Sequence, residues 1–365
     1  EMISEETSKY KAIDSLIRQG RSFAIYRIPG EETPRFVMQA SGSARLFYNI
    51  EDLNEQQGFV IAPFRAGREC PIVLIRPDYS ELPDSSKKEF IPMDLEFHPN
   101  ETENASERKT KDNYIHCFDT FIKPLQEKTL DKLVLSRSLT LDREDGFSPA
   151  KAFYKACKQY IRSYVYLCHT PHTGTWLGST PEIILSGEKG EWHTVALAGT
   201  QPLQNGELPV HWSNKNKREQ LLVSNYIHDQ LSSLGIDSAM EGPYPARAGA
   251  LCHLKSDFRF RLGESNKLGN LLNLLHPTPA VCGLPKEEAH RFILANEGYD
   301  RRYYSGFIGW LNPEGRTDLY VNLRCMNINA KTLILYAGGG LLSSSELSDE
   351  WQETEDKLQT MRALL

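Results

Sequence analysis

The chain predicts an α+β fold, a single large domain in which antiparallel or mixed sheets are flanked by helices. Three observations carry that expectation. Short β-prone runs bounded by Gly, Pro or charge recur along the chain from Phe23 to Ala337. Segments with apolar residues at helical spacing lie between some of them. No internal repeat and no clear linker divides the 365 residues, so one domain spanning 1–365 is expected.

The first strands are Phe23 to Ile28, Phe59 to Pro63 and Ile72 to Ile75. The stretch from Tyr79 to Asp112 is rich in Glu, Lys, Ser, Asn and Pro and reads as a long solvated excursion, partly disordered. A helix is expected around Tyr114 to Thr129, because Ile115, Phe118, Phe121, Ile122 and Leu125 recur at helical spacing. Lys132 to Arg137 is the next strand, and Ser148-Pro149 opens a helix with proline in its tolerated first turn. Strands follow at Val165 to Cys168, Glu182 to Ser186 and Thr194 to Ala198. A polar helix runs from about Lys215 to Leu234. Gly306 to Trp310, Leu319 to Asn327 and Thr332 to Ala337 are expected strands, and a helix from Ser348 ends the chain.

Bulk properties narrow the function. A net charge of −6 with mixed signs argues against a dedicated nucleic-acid binder, which carries a basic stripe. Seven cysteines without a CxxC pair fit reduced, buried thiols. There is no apolar run of about eighteen residues and no basic-then-apolar leader, so a cytoplasmic protein without a membrane partner is expected.

Several residues are candidates for chemistry. In the last helix Ser348 is the expected N-cap, and Trp351, Leu358, Met361 and Leu365 form an apolar stripe. Glu350, Glu353 and Lys357 form a second stripe at i, i+3 and i+7, which suits a hard cation beside an anionic substrate. The same spacing fits a solvated face with a Glu353–Lys357 salt bridge, the commoner meaning of such a pattern. Gly338-Gly339-Gly340 follows a strand expected to end at Ala337, either as an anion-approaching backbone or as a plain tight turn. Lys132 heads an apolar strand; facing inward it would lose its proton readily, and at a strand end it would face water. Glu182 is either a partly buried acid or a loop carboxylate. Arg324, placed inside an expected strand, needs a partner, and a ligand carboxylate or a structural salt bridge would serve.

Taken together these segments resemble the chorismate-utilising family, which includes isochorismate, salicylate, anthranilate and aminodeoxychorismate synthases. The resemblance runs from about Asp131 to Leu365. It is carried by DKLVLSR at Asp131, GSTPEIIL at Gly178, LAGTQP at Leu197, KREQLLV at Lys217, LHPTPAVCGLP at Leu275, YYSGFIG at Tyr303, NLRC at Asn322, YAGGG at Tyr336 and DEWQETEDK at Asp349. Nine segments in register make chance a poor explanation. Val223-Ser224-Asn225, Thr180 and Gly339 depart from the family's usual Val-Val-Asp, Ser and Ala. Residues 1–130 carry no such motif and correspond to the family's variable N-terminal half; 131–365 is the motif-bearing half.

The resemblance implies an isomerase that converts chorismate to isochorismate with Mg²⁺. It implies Glu219, Glu350 and Glu353 at the metal, directly or through water. Gly199 and Thr200 would line the substrate ring, with His276 at its reacting edge. Tyr304, Arg324 and the amides of Gly338 to Gly340 would hold the pyruvyl carboxylate, and Lys357 would sit among the metal carboxylates. Lys132 would be the general base for water attack at ring carbon 2, and Glu182 the general acid for the hydroxyl leaving carbon 4. Ammonia-adding members carry glutamine where this chain has Lys132, so water is the expected nucleophile. Salicylate synthase is the alternative enzyme, and a silent chorismate-binding protein the alternative class. A monomer serving menaquinone synthesis is expected, with siderophore synthesis the other destination.

Overall fold

The protein is described by a computed structural model covering residues 4–41, 43–83, 107–263 and 267–365. The excursion expected over 79–112 lies largely outside the described residues. Tyr79 bridges back to Met38, and the end of that stretch is already helical, because α2 starts at Glu107.

Seven α-helices are described: α1 (Glu5–Arg18), α2 (Glu107–Gln126), α3 (Pro149–Gln159), α4 (Asn214–Ser233), α5 (Leu268–Leu275), α6 (Lys286–Asn296) and α7 (Leu347–Arg362). The strands of the first half are β1 (Phe23–Arg27), β2 (Arg35–Met38), β3 (Arg45–Phe47), β4 (Gly58–Ala62), β5 (Ile72–Ile75), β6 (Lys132–Asp142), β7 (Tyr164–Thr170) and β8 (Gly174–Thr180). Those of the second are β9 (Ile183–Glu188), β10 (Glu191–Pro202), β11 (Ser238–Ala248), β12 (Leu251–Phe260), β13 (Gly283–Leu284), β14 (Phe307–Leu311), β15 (Arg316–Val321), β16 (Cys325–Ile328) and β17 (Thr332–Leu341).

They form two antiparallel sheets. The eight-stranded sheet runs β13-β6-β17-β16-β8-β7-β1-β2, and the nine-stranded sheet β11-β12-β10-β9-β15-β14-β4-β5-β3. Strands of the first 130 residues enter both. Side-chain alternation sorts each strand between two layers. On β7, Tyr164, Tyr166 and Cys168 face the space between the sheets, while Val165 and Leu167 pack outward with α1, α3 and α7. On β4, Phe59 and Ile61 face inward, while Val60 and Ala62 join the layer under α4 and α5. The inner layer is aromatic: Tyr164 of one sheet stacks on Tyr320 of the other at 4.3 Å, a geometry worth about 0.5–1.5 kcal/mol beyond burial. Strands covered on both faces read as unbroken apolar runs, which is why β1, β4 and β5 stand out in the sequence.

Four sequence expectations need correction. Leu319 to Asn327 is not one strand: β15 belongs to the nine-stranded sheet and β16 to the eight-stranded one, and Arg324 lies between them at φ 48°. A chain crossing from sheet to sheet must turn sharply, and the left-handed conformation at Arg324 provides that turn. Gly338-Gly339-Gly340 is no turn either, since β17 continues through it to Leu341, paired with β6 from Thr332↔Asp142 to Leu341↔Leu133. The N-cap of α7 is Glu346, whose side chain makes no capping bond; Ser348 lies inside the first turn. Leu365 is half exposed, and Leu364 takes its place beside Leu358 and Met361.

One buried network braces the motif-bearing half. Arg301 pairs with Glu297 at 2.6 Å, both side chains 1% exposed. It also donates to the carbonyls of Val281 and Val134, while Glu297 accepts from the Ser136 amide. The end of α6, strand β6 and the segment before β13 are thereby held together.

Candidate active site

Motif residues converge on a cavity where the two sheets meet α4 and α7. Its walls come from β10 (Leu197 to Thr200), α4 (Glu219), β12 (His253), β17 (Tyr336 to Gly338, and Gly340) and α7 (Lys357). Glu182 and Arg324 reach it from turns between strands, and Tyr304 from the segment between α6 and β14. A larger groove of about 1810 Å³ lies along Trp192, Arg259 and Arg316 and holds none of the candidate residues.

Local backbone makes the room. At Gly199 (φ 86°) strand β10 bulges, its register against β12 shifting between Ala198 and Thr200. The Gly199 carbonyl and the Thr200 hydroxyl each lie 3.1 Å from His253 Nδ1. Arg324 Nη2 approaches His253 Nε2 at 2.6 Å. Since the guanidinium only donates, Nε2 accepts and the ring proton sits on Nδ1. Burial and Arg324 both push the imidazole well down, so it is neutral.

Beyond Leu335, β17 pairs with β6 alone, which leaves its other edge free toward the cavity. Lys357 Nζ donates to the Gly338 carbonyl at 2.7 Å on that edge and pairs with Glu353 at 3.3 Å. The expected Glu353–Lys357 salt bridge therefore exists, but with both side chains mostly buried rather than on a solvated face. Alternation along β17 turns Gly338 and Gly340 to the cavity and Gly339 to α7. A Cβ on Gly340 would collide with Glu219 Oε1 and meet Lys132 Cε at 2.7 Å, and one on Gly339 would collide with Glu353 Oε2.

Glu182 is fully buried, with one carboxyl oxygen unpartnered. Burial raises it to about 8 against the pull of Lys132, Arg324 and Lys357, so it is protonated at neutral pH. Lys132 faces inward, 0% exposed, 3.1 Å from Glu219 Oε1. Burial lowers it and Glu219 works against that. Lys132 stands one layer behind the cavity wall, behind Gly340 and Glu219. Arg324 is lowered to about 10 by burial, with Glu182 the largest opposing influence.

The three metal candidates come together from two helices. Lys215 Nζ lies 3.3 Å from Glu219 Oε2 and 3.2 Å from Glu350 Oε1, and Glu353 faces the same region across Gly339. Burial, then Glu353, raise Glu350 to about 7, with Lys215 opposing. The second Glu350 oxygen is buried without a hydrogen-bond partner. Among the described residues no three His, Cys, Asp or Glu side chains stand as they would around a metal ion.

His276 is the one candidate outside this constellation. Its Nε2 lies 3.1 Å from the Phe64 carbonyl and its ring packs edge-on against Phe307, away from the lining. The imidazole in the cavity is that of His253, which sequence reading missed. Alternating polar and apolar residues in Leu251-Cys252-His253-Leu254-Lys255 were the available signal for its strand.

The family model described as chorismate binding enzyme matches residues 81–365. The chain belongs to this family. Among its chorismate-binding relatives, isochorismate synthase EntC of Escherichia coli K12 is 29% identical over 243 residues, 64% of this chain and 61% of that protein. The match thus spans about three-fifths of that relative's length. Isochorismate synthase MenF of the same strain is 26% identical over 355 residues, 92% of this chain and 82% of that protein. The solved structure of MenF, the menaquinone-specific isochorismate synthase from Escherichia coli, superposes with a TM-score of 0.73 at 21% identity, covering 100% of this chain and 92% of that one. This last likeness concerns the fold, which the chorismate-binding chain shares. Among the described residues no helix is long and apolar enough to cross a membrane, and all seven cysteines are free.

Proposed function

We propose that this chorismate-binding chain is an isochorismate synthase, acting as a cytoplasmic monomer. The observation that carries the reading is the pair Glu182 and Lys132. One is a carboxylic acid held protonated by burial, the other an amine lowered by burial, and both belong to the surroundings of one polar cavity. Binding alone requires neither. Hydroxide is a poor leaving group and water a poor nucleophile, so moving a hydroxyl needs an acid and a base together.

In this reading Arg324, Tyr304 and the free edge of β17 hold the pyruvyl carboxylate of chorismate. Water attacks ring carbon 2 and gives its proton to Lys132, which must reach the cavity past Gly340 and Glu219 when substrate is bound. The ring double bonds shift, the bond from carbon 4 to oxygen breaks, and Glu182 protonates the departing hydroxyl, which leaves as water. His253, neutral and fixed by Arg324 and Gly199, orients the ring without exchanging protons.

The donor chemistry suits a hard divalent cation such as Mg²⁺ although the side chains do not stand in a metal-binding arrangement: Glu219 and Glu350 share the Lys215 ammonium, and Glu350 keeps an unpartnered oxygen. Glu219, Glu350 and Glu353 would hold it. When bound, it neutralises these carboxylates and withdraws charge from the ring carboxylate of the substrate. The extent of the MenF alignment favours menaquinone synthesis.

The test is a chromatographic assay of purified protein with chorismate and Mg²⁺. Isochorismate is expected as the product; salicylate with pyruvate, or no turnover, would overturn the reading. EDTA should abolish turnover and Mg²⁺ restore it. Glu182→Gln should retain chorismate binding and lose about 10² to 10⁴ in turnover.

A further inference from the structure

The space between the carboxylates already receives a cation from the chain itself. Lys215, in the first turn of α4, points its ammonium between α4 and α7, 3.3 Å from Glu219 Oε2 and 3.2 Å from Glu350 Oε1. Glu353 adds to the attraction. The other two lysines nearby are engaged elsewhere, Lys132 on Glu219 Oε1 and Lys357 on Glu353 Oε2.

Two features separate this contact from a fixed structural salt bridge. The ammonium satisfies the cluster incompletely, because Glu350 Oε2 stays buried without a partner. It also sits on the solvent side: the Lys215 side chain is 18% exposed, against 7% for Glu219 and 6% for Glu350. The same lysine lines an outer groove of about 890 Å³ shared with Asp131, Ser343 and Ser344. A flexible four-carbon stem can carry the charge from the cluster to that groove, where a second carboxylate is available.

We propose that Lys215 is a displaceable counter-ion: it holds Glu219 and Glu350 in place, and the divalent cation binds by taking its position while the ammonium moves out toward Asp131. A point charge with three donors suits both resting places, whereas Mg²⁺ requires oxygens at about 2.0–2.1 Å and cannot share the space. Metal binding is therefore a cation exchange, weaker than the bare carboxylates would allow. This rests on the metal reading above.

The experiment combines calorimetric titration of Mg²⁺ with acetylation footprinting of Lys215 by mass spectrometry. In the wild-type protein Mg²⁺ should raise the acetylation rate of Lys215 severalfold. Lys215→Gln should bind Mg²⁺ roughly tenfold more tightly, the worth of one charge-assisted contact, and should melt at a lower temperature than wild type without metal. Lys215→Arg keeps the charge and should gain no comparable affinity. Wild-type protein that binds Mg²⁺ with an unchanged Lys215 footprint overturns the exchange and leaves the metal reading intact. Wild-type protein that binds no Mg²⁺ removes the metal reading, and the exchange with it. The footprint needs no variant, so it decides even where Lys215→Gln fails to fold.

Discussion

Glu182 links the chemistry to the stability of the fold. In the unfolded chain its carboxyl ionises at its ordinary value of 4.5, whereas the folded one keeps its proton to about 8. Between those values the folded state holds the extra proton, so stability falls as pH rises. Glu350, raised to about 7, acts in the same direction. Glu182→Gln removes the larger contribution. Its melting temperature should fall less between pH 5 and 8 than that of wild type, as a thermal-shift series would read; parallel curves would mean that Glu182 ionises freely. Turnover in wild type should decline as pH rises through about 8, where the acid loses its proton, and on the acid side as Lys132 gains one. Gly340→Ala tests the close packing of the site. Its Cβ would meet Glu219 and Lys132, so a cost of about 1–3 kcal/mol is expected in denaturant titration, with activity lost. At this scale Lys132, Glu182, Arg324 and Lys357 were singled out by type and position, and Glu219 only through the family resemblance. His253 was not legible: it lies on β12 outside the quoted motifs, whereas the motif histidine, His276, closes α5 and turns to the Phe64 carbonyl.

Elements bounded by chemistry were read well, and those bounded by topology were not. Ser148 caps α3 through the Lys151 amide, as Ser-Pro at a helix start implies; Ser148→Ala should cost about 1 kcal/mol, also because Ser148 bonds Asp14 of α1 at 2.5 Å. The run from Leu319 to Asn327 shows the opposite case. Both halves are apolar and β-prone, and only the sheet order reveals that they part at Arg324. The glycines of β17 misled for a related reason. Glycine usually breaks strands, yet here the side chains of α4, α7 and β6 crowd the backbone so closely that a Cβ has no room. The brace around Arg301 gives this scale its sharpest expectation. Arg301→Met leaves Glu297 buried and unpaired, and should destabilise by about 3–5 kcal/mol in equilibrium unfolding. A loss under about 1 kcal/mol would show that the pair is readily replaced by packing.

Across the whole molecule, the cavity exists only where both sheets are complete. β6, β16 and β17 of one sheet and β10 and β12 of the other carry or flank its residues, and the aromatic layer locks the sheets face to face. Loss of tertiary packing, loss of secondary structure and inactivation should therefore coincide on heating. Near-ultraviolet and far-ultraviolet circular dichroism, followed with residual activity, would check this; an inactive intermediate with intact aromatic signals would contradict it. The α+β class and large antiparallel sheets flanked by helices were within reach of the sequence. The interleaving of early and late strands was not, since no local pattern encodes which strand is a neighbour.

The long ladder between β6 and β17 has a consequence for how the chain is made. Leu133 pairs with Gly283 on one edge but finds its partner on the other only at Leu341, so β6 leaves the ribosome long before the strand that covers that edge. Until then an apolar strand bearing the future base waits half paired, with its free edge open to other chains. Closing so large a loop is slow, and contacts of such sequence separation set the pace of folding. The nascent protein is therefore most vulnerable to aggregation late in synthesis, and slowing translation just before Thr332 should lower its soluble yield.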